Sequence, residues 1–184
     1  RYTFLIVADT TRYVSISILL RAGWNLVSIP VVPSDATLKA LFPEAVVAYS
    51  WDGSRYIEVD SLQVSKGYWI AMAEDRSYTI EGEPVASYTT DITAGWNLIG
   101  SCSQATTDLT TEPPGCLVSG TLYAYDPEEE RYVPASRIEP GKGYWVASLK
   151  EGKLMVGGGV AKLAVAEGKG RLSDFLRKYG PPPP

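Results

Sequence analysis

The chain has 184 residues, 45% of them hydrophobic, a net charge of −4 and no histidine. That length and apolar content suit one domain or two small ones, and the 17 scattered basic residues argue against a nucleic-acid groove or an anionic-membrane anchor. The missing histidine removes the usual Ser-His-Asp and Cys-His catalytic sets, H-E-x-x-H zinc sites and proximal-His haem ligation.

In chain order, Phe4–Val7 and Val14–Leu20 are the longest apolar runs, far too short to cross a bilayer, so no membrane insertion is expected. Val14, Ile16, Ile18 and Leu20 alternate with Tyr13, Ser15, Ser17 and Leu19, the period-two pattern of a strand. Trp24–Ile29 follows as a short strand. "SDATLKALFP" predicts a helix of about two turns, with Ser34 or Asp35 as N-cap and Pro43 as its stop. Val46–Trp51 and Tyr56–Val59 flank Asp52-Gly53, a hairpin signal, and Tyr68–Ala73 is the next aromatic, β-branched run.

The chain then repeats itself. "AGWNL" occurs at Ala22–Leu26 and Ala94–Leu98. "VAYSWDGSRYIEV" aligns with "YAYDPEEERYVPA", pairing Tyr49 with Tyr125, Trp51 with Pro127 and Tyr56 with Tyr132. "KGYW" recurs at Lys66–Trp69 and Lys142–Trp145. The offset grows from 72 to 76 residues between the first and later motifs, which places a four-residue loop insertion in the second copy. Such self-similarity predicts an all-β protein of two homologous units, built of short antiparallel strands in a barrel- or sandwich-like arrangement, with short helical turns. The expected divisions are 1–21, leading strands that complete the first unit; 22–93 and 94–165, the two repeats; and 166–184, a short helix and proline-rich tail. The helix follows from Leu172, Phe175, Leu176 and Tyr179 at i, i+3, i+4 and i+7, with Gly180 as C′ residue. Pro181–Pro184 predicts a stiff spacer, and together with a start at Arg1 it is read as belonging to a longer chain with flanking domains.

"GWNL" followed by "GKGYW" in both copies resembles the GWNL/GKGYW-type repeats of secreted and surface-layer-like bacterial and archaeal proteins, over roughly residues 22–158. The resemblance implies an extracellular, non-catalytic β module of a multidomain protein. The first copy departs from the pattern, with "VSKGYW" for "EPGKGYW".

Candidate sites follow from what repeats and what does not. Glu128–Glu130 and the scattered Asp9, Asp52, Asp75 and Asp91 read as solvated surface rather than as a catalytic pair, and "GKG" lacks the P-loop pattern. No cofactor or metal is expected. Asn25 and Asn97 sit between apolar residues and are expected to satisfy backbone groups at a turn. Recurring aromatics are expected to form the core. Adjacent residues in a strand point to opposite faces, so one of each Tyr68–Trp69 and Tyr144–Trp145 pair is expected at a surface. Trp51, Trp69, Trp145, Tyr56 and Tyr132 are the residues expected to carry binding. Cys102 and Cys116, without counterparts in the first copy, are expected to form a disulfide. The functional expectation is an adhesion, interaction or spacer module of an exported protein, meeting a protein or glycan at the cell surface. The alternative is a carbohydrate-binding module that stacks sugars on exposed Trp and Tyr.

Overall fold

The computed structural model describes residues 12–159 and 171–180. Alternating and aromatic stretches become strands β1 (Val14–Leu20), β2 (Gly23–Val27), β3 (Val31–Val32), β4 (Ala45–Trp51), β5 (Tyr56–Glu58), β6 (Tyr68–Met72) and β7 (Arg76–Pro84). They continue as β8 (Ser87–Ile92), β9 (Gly95–Ile99), β10 (Leu109–Glu112), β11 (Tyr123–Asp126), β12 (Arg131–Pro134), β13 (Tyr144–Ser148) and β14 (Gly152–Gly157). Two helices, α1 (Leu38–Leu41) and α2 (Arg171–Tyr179), complete the described elements. The Phe4–Val7 apolar run, with the rest of the 1–21 lead before Arg12, and the Pro181–Pro184 spacer lie outside the described residues.

The protein is all-β and built as two units. A four-stranded antiparallel sheet β2-β6-β4-β5 is matched by β9-β13-β11-β12, and a three-stranded sheet β1-β7-β3 is matched by β8-β14-β10. In each unit the "GWNL" strand lies beside the "GYW" strand, Leu26 opposite Trp69 and Leu98 opposite Trp145. Hydrogen bonding runs across the sequence repeat: β1 pairs with β7, and β8, which precedes the second "AGWNL", pairs with β14.

The two sheets of each unit enclose a core. Ile18, Leu20, Phe42, Tyr68, Ile70 and Ile80 fill the first, and Ile92, Leu109, Ile138, Tyr144, Val146 and Leu154 fill the second. A third core, Leu26, Trp69, Trp96, Leu98, Val118, Trp145 and Phe175, lies between the two four-stranded sheets. These sheets are therefore covered on both faces. This overturns the expectation that one residue of each "YW" pair is exposed: Tyr68 and Tyr144 face the unit cores, while Trp69 and Trp145 face the shared one, and all four are buried.

Three further expectations are corrected. The α1 helix is a single turn, and its N-cap is Thr37, whose Oγ1 accepts from Ala40 N at 3.3 Å; Asp35 instead accepts from Thr37 N. The Cys102–Cys116 disulfide is not formed. Both cysteines are free and buried, Cys102 Sγ packing against Gly157 and Cys116 Sγ against Gly152. Those glycines end opposite sides of β14, roughly 16 Å apart along a strand, whereas a disulfide needs Cα atoms within about 7 Å. Finally, strand pairing resets the repeat alignment. Tyr49 lies opposite Trp69 and Tyr123 opposite Trp145, so the structural counterpart of Tyr49 is Tyr123, and that of Trp51 is Tyr125 rather than Pro127. The second copy's extra residues are divided between the approach to β11 and a longer β11–β12 hairpin.

Candidate functional site

The two units meet through reciprocal contacts, the mark of an approximate twofold axis. Val27 bridges to Lys142 and Ile99 to Lys66; Ser28 N donates to Gly141 O at 3.0 Å and Gly100 N to Ser65 O at 2.9 Å. The glycine of each "KGYW" allows this approach. A Cβ on Gly67 would lie 2.8 Å from Ile99 O, and one on Gly143 2.8 Å from Val27 O and 3.3 Å from Gly67 Cα. Tyr68 and Tyr144 fix the preceding loops, their hydroxyls accepting from Gln63 N at 2.7 Å and Glu139 N at 2.8 Å.

Between the sheets the aromatic rings are arranged in matched pairs. Trp24–Tyr49 and Trp96–Tyr123 each have centroids 6.0 Å apart, while Trp24–Trp69 and Trp96–Trp145 stand at 6.3 and 6.4 Å. Across the axis, Tyr125 meets Trp69 at 4.7 Å as Trp51 meets Trp145 at 5.5 Å, edge to face, a favoured aromatic geometry. Trp69 Nε1 donates to the Tyr56 hydroxyl at 3.1 Å and Trp145 Nε1 to the Tyr132 hydroxyl at 3.2 Å, and the two hydroxyls hydrogen-bond each other. Burial pushes the pKa of both phenols up, so they remain neutral hydrogen-bonding groups.

The symmetry fails at the two ends of this interface. At one end α2 lies over Trp96: Phe175 meets its ring at 5.4 Å, Trp96 Nε1 donates to Gly180 O at 3.1 Å, and Trp51 Nε1 donates to the Trp96 carbonyl at 3.1 Å. At the other end no element among the described residues covers Trp24. A cavity of about 550 Å³ opens there, lined by Trp24, Tyr49, Tyr56 and Trp69 of the first unit and by Tyr125, Glu130, Arg131 and Tyr132 of the second. Trp24 is 44% exposed against 5% for Trp96, and Val46 is 67% exposed where its counterpart Val118 is at 3%. A Cβ on Gly95 would meet the Tyr179 ring at 3.5 Å, whereas one on Gly23 would meet nothing within 4 Å. Trp24 is also the one tryptophan whose indole N–H donates no hydrogen bond among the described residues.

Of the five expected binding residues, Trp69, Tyr56 and Tyr132 line the cavity. Trp51 and Trp145 do not. Trp145 is fully buried, and the half-buried Trp51 packs against it at the α2-covered end. Trp24, Tyr49 and Tyr125, among the recurring aromatics expected in the core, and Glu130, expected as solvated surface, line it instead, as does Arg131, which was not singled out. Their signal was present, because a helix of the α2 pattern occurs once in a chain whose aromatic framework occurs twice.

The rim is acidic on one side. Glu130 follows Asp126, Glu128 and Glu129 in the β11–β12 hairpin; Arg131 pairs with Glu129, and Glu128 with Arg21. Burial, then the neighbouring Glu130 and Asp126 carboxylates, raises the Tyr125 pKa. Among the described residues no group of three or more Cys, Asp or Glu is placed to hold a metal ion, and no helix is long and apolar enough to cross a membrane. Comparison with family models, curated proteins and solved structures finds no match to this chain.

Proposed function

We propose that the chain is a non-catalytic interaction module of an exported, cell-surface protein, and that its ligand enters the Trp24 cavity. The observation that carries this reading is the unequal finish of two equivalent ends: among the described residues, one is sealed by the helix α2 and the other leaves an aromatic concavity open. Apolar cavities of this size with a few polar groups at the rim are the usual form of a binding site. The cavity offers flat rings, an indole N–H at Trp24 that donates to no group among the described residues, and one charged edge, and these bind and orient without supplying a proton-transfer pair. A glycan is the second reading, favoured by the Trp24 face standing beside the Glu130 and Arg131 side chains, an arrangement suited to stacking and hydroxyl recognition.

A small-molecule fragment screen followed through the tryptophan indole N–H signals by NMR tests the site. Hits are expected to shift the Trp24 and Trp69 indoles and to be lost in Trp24→Ala, which removes an exposed ring. Hits scattered over the surface, or none, would reject the cavity as the ligand site.

A further inference from the structure

We infer that the ligand of the Trp24 cavity is a basic amphipathic helix of a partner protein, seated over Trp24 as α2 is seated over Trp96. The inference rests on the reading of this cavity as the binding site and adds what binds there. Its ground is the molecule's own example. The groove formed by Trp96, Tyr123, Trp145 and Val118 is the structural counterpart of that formed by Trp24, Tyr49, Trp69 and Val46. The first of these holds a helix that presents Leu172, Phe175, Leu176 and Tyr179 along one face. Such i, i+3, i+4, i+7 anchors in a hydrophobic groove are an established mode of peptide recognition. Phe175 stands edge-on to Trp96 at 89°, and the helix end closes on the indole N–H through the Gly180 carbonyl. Trp24 presents the same ring and the same donor.

Two differences between the ends define the partner. Tyr125 stands where Trp51 stands at the closed end, and a phenol is smaller than an indole, so the open groove admits a bulkier anchor than Phe175. The adjoining hairpin carries Asp126, Glu128, Glu129 and Glu130 against one cation, Arg131, a net charge of −3, whereas the corresponding hairpin beside α2 carries Asp52 against Arg55, a net charge of zero. An acidic rim selects a cationic helix, and α2 itself is cationic in its last turn through Arg177 and Lys178.

The test uses the full chain and a capped synthetic peptide of residues 171–180, RLSDFLRKYG, titrated while indole signals are followed by NMR. Saturable shifts at Trp24 and Trp69 are expected. Affinity should fall at least about tenfold for the Phe175→Ala peptide and for a chain carrying Trp24→Ala. It should also fall with added salt, and for a peptide with Arg177 and Lys178 replaced by Glu. Shifts confined to Trp96, meaning exchange with the resident α2, would overturn the inference. So would peptide silence while chitohexaose or cellohexaose shifts Trp24, an outcome that keeps the cavity as the site and makes the ligand a glycan. Silence of Trp24 toward the peptide, the sugars and every fragment would reject both readings.

Discussion

Asn25 and Asn97 show how much a single side chain organises here. Asn25 Oδ1 accepts from Arg21 N at 2.9 Å, while Nδ2 donates to Arg21 O and Gly23 O. Asn97 does the same with Thr93 and Gly95. Each amide closes a turn whose glycine takes a positive φ, +92° at Gly23 and +105° at Gly95, which a residue with a Cβ would adopt only with strain. Asp52 plays a similar part in the first hairpin, accepting from Arg55 N, Ser54 N and Ser54 Oγ at 2.9 Å each. These bonds, the Arg55 amide foremost, lower its pKa from 3.8 to about 2. A depressed carboxyl pKa supports the folded state above the unfolded value and loses that support as pH falls through the folded one. The hairpin contribution of Asp52 is therefore expected in full above pH 4 and to disappear towards pH 2. Carboxyl-carbon NMR should place the Asp52 midpoint near 2; a midpoint at 3.8 would show that the turn does not hold it. The asparagine roles and the hairpin at Asp52-Gly53 were legible from residue type and position, whereas the Asp52 carboxylate, expected as solvated surface, is the acceptor that holds the turn. The state of Cys102 and Cys116 was not, because sequence proximity says nothing of which end of β14 each thiol meets.

Among the elements, α2 separates the two ends of the aromatic interface. Its amphipathic spacing and Gly180 stop could be read directly, and Gly180 N does donate to Leu176 O at 2.8 Å with φ at +73°. Its seat over Trp96 could not, since periodicity reveals an apolar face and not the surface that receives it. Phe175→Ala removes a buried ring at a cost of about 3–5 kcal/mol, more than a nine-residue helix can recover by itself. The variant is expected to undock α2 and expose Trp96, seen as a red shift in tryptophan emission and as faster exchange of the Trp96 indole proton. An unchanged spectrum would mean that the helix is held elsewhere. The hairpins teach a related point. Aligning letters placed Tyr49 against Tyr125, whereas strand pairing placed it against Tyr123, because the second hairpin absorbs its extra residues without disturbing the aromatic contacts.

At the scale of the molecule, the all-β class, the two units and the pairing of "GWNL" with "GYW" were legible from the repeat. The shared aromatic core was not: β6 (YWIAM) and β13 (YWVAS) are apolar on both faces, as doubly covered strands are, but such a run does not say what covers the second face. A close approach beside that core is the passage of Gly143 over Gly67 and Val27 O. A Gly143→Ala methyl would press on backbone rather than on a flexible side chain, so a loss of about 1–3 kcal/mol is expected, or several degrees of Tm by calorimetry. Wild-type stability in this variant would mean that the units do not approach so closely.

The reciprocal contacts at that passage bear on why the repeat is carried in one chain. Two separate copies of a single unit joined about a true twofold axis would form a homodimer with identical ends, either both sealed or both open. Tandem fusion lifts that constraint. Once the halves share a backbone they can drift apart in sequence, so one end can acquire a permanent lid while the other stays accessible, a division of labour that no dimer of identical subunits can reach.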